Sequence, residues 1–230
     1  MKEQKKKWEL LKGWFKSPVK AVHSFSDSQY KCIGLNTENC PTYEEDAWED
    51  YFKRENHNCY NYALNLIFNE YSFVQPGELG FANDNATKQD LKDRKKLYKG
   101  DFKKYCTKII DLAQKDGLIF LGNKLETRPG YRLIALAMSK GSFFWGGDSR
   151  DFHWYRQDRD GTWSHKPGDE NVGPLKDNKK FAENSGDITF PHEKNADRGK
   201  YKKFMGYFLV PEKGIPFNPK KLKKAKEMHR

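Results

Sequence analysis

The sequence lacks any long apolar segment. No stretch of eighteen or more apolar residues occurs among its 230 positions, whereas a helix needs about twenty to cross a membrane. The opening residues MKEQKKK are followed by no apolar run of the length that a secretory signal peptide requires. We therefore expect a cytoplasmic protein without a membrane span, while export by a route that needs no signal stays open.

Cysteine is scarce, with four residues at positions 32, 40, 59 and 106. No two of them form a CxxC pair, which argues against a zinc knuckle or a thioredoxin-like redox site. In the reducing cytoplasm all four are expected to be free thiols, although Cys32 and Cys40 can pair in an oxidising compartment. We expect no cofactor.

Positive charge is concentrated at the two ends of the chain. Of the net charge of +11, residues 1–20 contribute seven lysines against two glutamates, and residues 213–230 contribute six lysines and one arginine against one glutamate. The residues between them are neutral overall. Nucleic-acid readers usually carry their basic residues across the folded surface, so we expect no dedicated nucleic-acid site.

The charge pattern divides the chain into three parts. Residues 1–23 are a basic amphipathic segment with Trp8 and Phe15 on one face. This segment either docks on an anionic surface or packs its aromatic side chains on its own domain. Residues 24–212 are long enough for one globular domain, and residues 213–230 are predicted to be a basic C-terminal tail.

A cysteine is predicted to begin a helix. The apolar positions that repeat at helical spacing are Tyr60, Ala63, Leu64 and Ile67. Asn58 precedes them and is a good N-cap residue, so Cys59 becomes the first helical residue. Unpaired amides and the positive end of the helix dipole lower the pKa of a thiol there, which makes Cys59 a candidate nucleophile. The alternative is that Cys59 is a small buried side chain of the core.

Further helices precede the strands along the chain. The charged stretch 78–100 is predicted to be irregular or a weak helix. A clear helix follows from Phe102 to Ala113, with Cys106 on its apolar face and Gly117 in the position of a left-handed C-cap. We expect Cys106 to belong to the core.

Short runs with β-type periodicity follow the helices. They cover residues 118–121, 131–138, 142–145, 152–157, 162–166 and 204–210. The polar stretch 169–200 is predicted to be a long loop. Helices followed by strands in this order predict an α+β fold with an antiparallel meander.

Two histidines lie in one predicted β-hairpin, His153 on its first strand and His165 on its second. A four-residue turn over 158–161 pairs position 153 with position 166 and places the two side chains on opposite faces. A bulge at Gly161 shifts the register by one residue and places both on one face. In that case His153 can take the proton of Cys59 while His165 holds its other ring nitrogen, as in a catalytic triad.

This order of residues resembles the papain-like thiol superfamily, and within it the NlpC-type and CHAP branch. The resemblance covers roughly residues 56–166 and rests on a Cys at a helix start, a His at a strand start and a second His twelve residues later. It implies a papain-like α+β fold in which the helix of Cys59 packs on an antiparallel sheet carrying His153. It also implies a triad that His165 completes.

Two features depart from that branch. Asn58 stands where an acidic residue is usual, and the long interval between Cys59 and His153 implies an insertion around residues 75–130. A more specific resemblance is to a group of bacterial proteins, some described as shell-matrix-like, that share the blocks NCYNYA, QPG, DFHWYR, WSHKPG and DRG. That second resemblance implies no particular reaction.

Several other residues are candidates for supporting roles. Asp151 and Asp197 are alternative third members or supports of the triad, and Gln75 is either an oxyanion donor or an ordinary turn residue. His57 is a less suitable base, because a side chain two positions from Cys59 usually points away from it. A metal site built from the histidines lacks a fourth ligand, so we expect none.

Aromatic residues cluster around the hairpin. Trp154, Tyr155 and Trp163, together with Trp145, are predicted either to line a substrate groove or to pack in the core.

The sequence therefore predicts cysteine-dependent chemistry on a protein or peptide amide, by a peptidase, amidase, deamidase or transamidase. Cys59 attacks the carbonyl, and the oxyanion meets the amide of Cys59. One alternative is a non-catalytic binding module on a thiol-enzyme fold. Another is a protein that acts on membrane or nucleic acid through its basic tails.

Overall fold

The structure is a computed structural model that describes residues 41, 48, 55–68, 73–98, 100–141, 150–168, 171–175, 190–194 and 196–228. The amphipathic segment 1–23, Cys32, Cys40, Trp145 and the strand predicted over 142–145 lie outside these residues. The helices are α1 (Cys59–Leu64), α2 (Glu78–Ala82), α3 (Lys88–Leu97), α4 (Phe102–Lys115) and α5 (Pro219–Glu227). The strands are β1 (Ile119–Gly122), β2 (Tyr131–Ser139), β3 (Asp151–Gln157), β4 (Trp163–His165), β5 (Gly173–Pro174) and β6 (Lys203–Pro211).

The strands form one six-stranded antiparallel sheet in the order β1–β6–β2–β3–β4–β5. The predicted α+β class is confirmed. The meander is confirmed only from β2 to β5, because β6 inserts between β1 and β2. Tyr207, Phe208, Leu209 and Val210 are all buried, and a strand that is apolar on both faces is stable only inside a sheet that is covered on both sides.

Local sequence sets the limits of α1. The Asn58 side-chain oxygen accepts the backbone N–H groups of Tyr60 and Asn61, each at 3.0 Å, which confirms Asn58 as the N-cap. The residue after it begins the helix, as predicted. The helix ends earlier than predicted because Asn65 adopts a left-handed conformation with φ of 52°. Ile67 therefore lies beyond the helix and is exposed.

The charged stretch 78–100 contains two helices, α2 and α3. The Thr87 hydroxyl caps α3 by accepting the backbone N–H of Asp90 at 3.2 Å. Helix α4 confirms the prediction for this part of the chain, with Cys106 buried and Gly117 at φ of 102°. None of the helices in the described ranges combines the length and apolarity that a membrane span requires.

The sheet is apolar on both faces. On one face Ile134 and Phe208 pack with the helices. On the other face Leu133 and Leu209 pack with Phe190, which belongs to the stretch predicted as a long loop. Because β5 also lies in that stretch, the interpretation of it as a simple loop is wrong. Of its described residues, Leu175, Phe190 and Ala196 pack on the second face of the sheet.

The basic C-terminal segment is part of the domain. Ile215, Leu222 and Ala225 are buried in the core on the helix side of the sheet. The prediction of a separate tail over residues 213–230 is therefore wrong for its described part. Its lysines form the exposed face of an amphipathic helix. From composition alone, such a helix cannot be distinguished from a basic tail.

Replacing Leu222 by Ala tests this placement. We expect Leu222→Ala to lower the free energy of unfolding by about 2–4 kcal/mol, because it removes a buried side chain and leaves a cavity. The measurement is urea denaturation followed by circular dichroism. Lys223→Ala is the matched control, since Lys223 is exposed on the same helix. Equal stability of the two variants would show that α5 does not contribute to the core.

Candidate functional site

One cavity contains both the predicted nucleophile and the predicted base. It has a volume of about 560 Å³, and Cys59 and His153 both line it. Helix α1 packs against β3. The Cys59 Sγ lies 3.9 Å from the carbonyl oxygen of Phe152, the residue before His153. The fold therefore brings the two predicted residues to a common cavity.

The Cys59 thiol is buried and uncharged. Only 6% of the residue is exposed, and burial raises the pKa of the thiol from 9.0 to about 12. A backbone hydrogen bond at Trp154 and the positive charge of Lys166 act in the opposite direction, with smaller effects. The prediction of a lowered pKa is therefore wrong for this state of the protein. Desolvation outweighs the dipole of a helix of only 6 residues.

The two hairpin histidines lie on one face and contact each other. Tyr155 pairs with His165 in the ladder, so His153, two positions from Tyr155, shares the face of His165. Gly161 has φ of 88°, as the bulged turn requires. The His153 Nε2 lies 2.7 Å from the His165 Nδ1. Of the two registers considered, the structure has the one that joins the histidines.

This contact determines which ring nitrogen of His153 stays available as a base. With Nε2 engaged by His165, the Nδ1 of His153 has no hydrogen-bond partner among the residues that the structure describes. If His153 donates from Nε2, its Nδ1 carries a lone pair and can accept a proton. Burial, and then the proximity of His165, hold the pKa of His153 well below 6.5. His153 is therefore neutral at pH 7, as a general base must be.

The Tyr201 ring stacks on the His153 ring. The two ring centroids are 4.7 Å apart and the planes differ by 22°. The Tyr201 hydroxyl donates to the Asp151 carboxylate at 2.9 Å, and Lys200 pairs with the same carboxylate at 2.9 Å. Tyr201 therefore connects Asp151 with His153. The sequence analysis missed Tyr201, for which no sequence signal was available.

The remaining polar candidates lie on different sides of His153. Gln75 lines the thiol cavity, and its backbone N–H donates to Glu78 at 3.2 Å. Asp197 lines a second cavity, which includes His165 but not Cys59. Gln75 is therefore placed to contact a group bound at the thiol, whereas Asp197 is placed to act on His165.

His57 is a buried residue whose contacts support the fold. It is fully buried, and its Nε2 accepts the backbone N–H of Phe68 at 2.9 Å. Its ring stacks on Phe68 and meets the edge of Trp48. It is absent from the lining of the thiol cavity. Within the described part of the chain, no group of three or more His, Cys, Asp or Glu residues is arranged to hold a metal ion.

The aromatic residues of the hairpin belong to the core. Trp154 is buried on the helix side, with its ring 5.0 Å from that of Tyr60, and Trp163 is buried on the opposite side. Neither lines the thiol cavity, so the substrate-groove interpretation is wrong for both. Alternation along the strand turns Tyr155 to the second face, where it lines the second cavity.

A buried carboxylate that the sequence analysis did not single out supports the site. Asp116 accepts the hydroxyl of Tyr60 at 2.7 Å and the backbone N–H groups of Gly77 and Gly80 at 2.7 and 2.6 Å. It thereby joins α1 to the QPG turn. Burial raises the pKa of Asp116 from 3.8 to about 7.

The QPG turn is fixed beside the thiol cavity. Gly77 has φ of 95°, and a Cβ there would lie 2.6 Å from the Leu112 Cδ2. Arg94 donates to the carbonyl of Pro76 and pairs with Glu78 at 3.4 Å. These contacts hold the turn in place, and Gln75 at its start lines the thiol cavity.

A comparison with known proteins identifies one relevant similarity. The chain is 32% identical over 174 residues to insoluble matrix shell protein 1 of Ruditapes philippinarum. The similarity covers 74% of this chain and 91% of that relative. No family model matches the chain, and no solved structure matches it. The name of the relative describes a shell matrix protein and states no reaction.

Proposed function

The chain belongs to the family of insoluble matrix shell protein 1, whose name describes no reaction, and we propose its function from the cavity at Cys59. The proposed function is thiol-dependent acyl chemistry on the amide bond of a protein or peptide. Cys59 is the nucleophile, His153 the base and then the acid, and His165 the orienting group. The observation that carries this proposal is the His153–His165 contact, which engages Nε2 and leaves Nδ1 of His153 without a partner among the described residues, while His153 and Cys59 line one cavity.

The first chemical step forms an acyl-enzyme. The thiol proton moves to the His153 Nδ1 as the Cys59 sulfur attacks the amide carbon. Because the thiol and imidazole are both neutral beforehand, the transfer creates a charged pair only as the bond forms. The imidazolium then gives its proton to the departing nitrogen, the C–N bond breaks, and a thioester remains on Cys59.

The second step releases the acyl group. Water or an amine gives a proton to the same Nδ1 and attacks the thioester carbon. The C–S bond breaks, and the proton returns to the Cys59 sulfur. Water yields hydrolysis or deamidation, whereas an amine yields transamidation. The Gln75 amide and the backbone N–H of Cys59 are the groups we assign to the oxyanion.

We also propose that the fold is papain-like. The helix that begins with Cys59 packs on an antiparallel sheet, His153 is the third residue of β3, and His165 lies on the neighbouring strand. This matches the order and placement in that superfamily. The rigid QPG turn and the helices α2 to α4 occupy the interval in which the resemblance implied an insertion.

A second candidate function is binding without catalysis. Two observations favour it: the thiol is buried and uncharged, and the relative carries the name of a matrix protein. In this case the cavity would hold a ligand without bond cleavage. Action through the basic tails has less support, because the described part of the C-terminal segment packs in the core.

Formation of an acyl-enzyme separates the two candidates. We expect the p-nitrophenyl ester of N-acetylglycine to acylate Cys59 at pH 7, with a burst of nitrophenolate and one thioester adduct on the intact protein. Cys59→Ser should remove the burst. Cys106→Ser should leave it unchanged, because Cys106 is buried on α4 and lines neither of the two cavities.

The adduct is located by peptide mapping. A thioester on Cys59 supports acyl chemistry. Acylation of surface lysines only, at a rate that Cys59→Ser does not alter, would leave the binding module as the better description.

A further inference from the structure

A second cavity adjoins the thiol cavity. It has a volume of about 410 Å³, and both cavities are lined by His153 and Tyr201. The other polar residues of the second cavity are Tyr155, His165, Asn171, Asp197 and Arg198. Two of them belong to the DRG block, to which the proposed chemistry gives no role.

Two hydrogen-bond donors in this cavity lack partners. Tyr155 is fully buried, and its hydroxyl has no partner among the residues that the structure describes. The Nε of Arg198 is likewise buried and without a partner in the described chain. The Arg198 side chain cannot turn away easily, because its Nη1 donates to the carbonyls of Pro191 and Glu193 at 2.6 Å each. Leaving buried donors unpaired is costly, so a fixed pair of them favours a bound acceptor.

An acceptor lies beside the two donors. Asp197 lines the same cavity as Tyr155, His165 and Arg198. Its negative charge acts with burial in raising the pKa of Tyr155 and opposes the fall in the pKa of His165 that burial causes. One of its oxygens accepts the backbone N–H of Gly199 at 3.1 Å, which leaves the other for a ligand.

From these groups we infer that the second cavity is a subsite for a peptide group of a polypeptide substrate. The carbonyl oxygen has two lone pairs and accepts from the Tyr155 hydroxyl and the Arg198 Nε, while the peptide N–H donates to Asp197. This inference rests on the proposed function. It identifies the substrate of the thiol site as a polypeptide that has a further peptide group beyond His153.

The charge of the cavity favours an amide over an anion. Among the described residues that line the cavity, the positive charge of Arg198 is balanced by Asp197. Burial lowers the pKa of His165 to about 4, so its imidazole is neutral at pH 7. An anion would gain little net attraction there and would be repelled by Asp197. A neutral group that both accepts and donates satisfies all three side chains.

Nuclear magnetic resonance of the full chain tests the subsite directly. N-acetylglycine N-methylamide is titrated into ¹⁵N-labelled protein at pH 7, and the Gly199 amide and the His165 ring nitrogens are followed. We expect both to shift with saturation. Tyr155→Phe and Arg198→Lys should each weaken the binding about tenfold, the loss expected for one hydrogen bond to a buried site. Tyr131→Phe is the matched control, since Tyr131 lies on β2 outside both cavities.

Further titrations distinguish a peptide subsite from an anion site and from no site. Acetate at equal concentration should shift these signals less than the peptide, and a larger shift with acetate would replace the peptide subsite by an anion site. No saturable shift, or equal binding by Tyr155→Phe and Tyr131→Phe, would overturn the subsite. The same titration with Cys59→Ala should give unchanged binding. Peptide binding without acylation of Cys59 in the parent would therefore reject the proposed chemistry and keep the subsite.

Discussion

His153→Ala is expected to slow acylation of Cys59 by N-acetylglycine p-nitrophenyl ester about 10³-fold, within the range that a general base contributes. The thiol alone is a poor nucleophile at pH 7, because burial raises its pKa to about 12. The Nδ1 of His153 has no partner among the described residues, and His153 lines the same cavity as Cys59. Removing it leaves the thiol proton without an acceptor.

The pH dependence follows from the same two groups. Because the pKa of His153 lies well below 6.5, its imidazole stays neutral as the pH falls from 8 to 6. We expect the acylation rate of the parent to be nearly constant over this interval. In His153→Ala the remaining rate should rise about tenfold per pH unit, since it depends on the small thiolate fraction.

Two further variants define the role of each histidine. His165→Ala should lower the rate less, by about 10-fold, because it removes the group that orients His153 and not the base itself. It should also move the acidic limb of the profile to higher pH, since His165 contributes to the low pKa of His153. His192→Ala is the control: His192 contacts Tyr207 and lines neither cavity. A rate unchanged in His153→Ala would reject the triad.

Asp116→Ala is expected to lower the free energy of unfolding by about 3–5 kcal/mol, as the loss of a buried polar network does. The hydroxyl of Tyr60 and the N–H groups of Gly77 and Gly80 would all lose their acceptor in the interior. Each unpaired buried donor costs about 1–3 kcal/mol. Urea denaturation at pH 7 measures the loss.

Asp111→Ala provides the matched control on the same helix. Asp111 is partly exposed and pairs with Lys108 and Lys115 at 3.9 and 3.5 Å, so its loss should cost less than about 1 kcal/mol. Similar losses in the two variants would show that the Asp116 contacts do not support the fold.

The stability of the parent should also depend on pH through Asp116. Its pKa is raised from 3.8 to about 7 on folding, so the folded state binds a proton that the unfolded state has released. This contribution to stability is complete below pH 3.8 and is lost as the pH rises through about 7. We expect the difference in unfolding free energy between parent and Asp116→Ala to fall between pH 5 and pH 8. A constant difference would contradict the raised pKa.

Local signals in the sequence were sufficient for much of the site. Asn58 is a strong capping residue, so the placement of Cys59 at a helix start needed no tertiary information. Gly161 permitted the bulged turn, but the sequence left two registers open, and the structure has the one that places His153 and His165 together. These features depend on residues close in sequence, for which periodicity and capping rules are informative.

The other features of the site and the fold depend on contacts between segments that are distant in the sequence. The depth of burial that raises the thiol pKa is set by packing of α1 on β3, which no local pattern reports. In the sequence, Asp116 is an ordinary polar residue at a helix end. Only the folded chain brings Tyr60 and Gly77 into hydrogen-bond contact with it. Likewise the lysines near Leu222 resemble a solvated tail unless the apolar face of the helix is matched to a core.

The position of β6 has a consequence for the synthesis of this protein. β6 follows the other five described strands along the chain, yet it pairs with both β1 and β2 and lies between them, second from one edge of the sheet. Until it emerges, β1 and β2 each present an open edge to other chains. Such long-range pairing slows folding and prolongs the exposure of partly formed intermediates. Nascent chains stalled before residue 203 should therefore bind chaperones and self-associate, whereas chains that have released β6 should not.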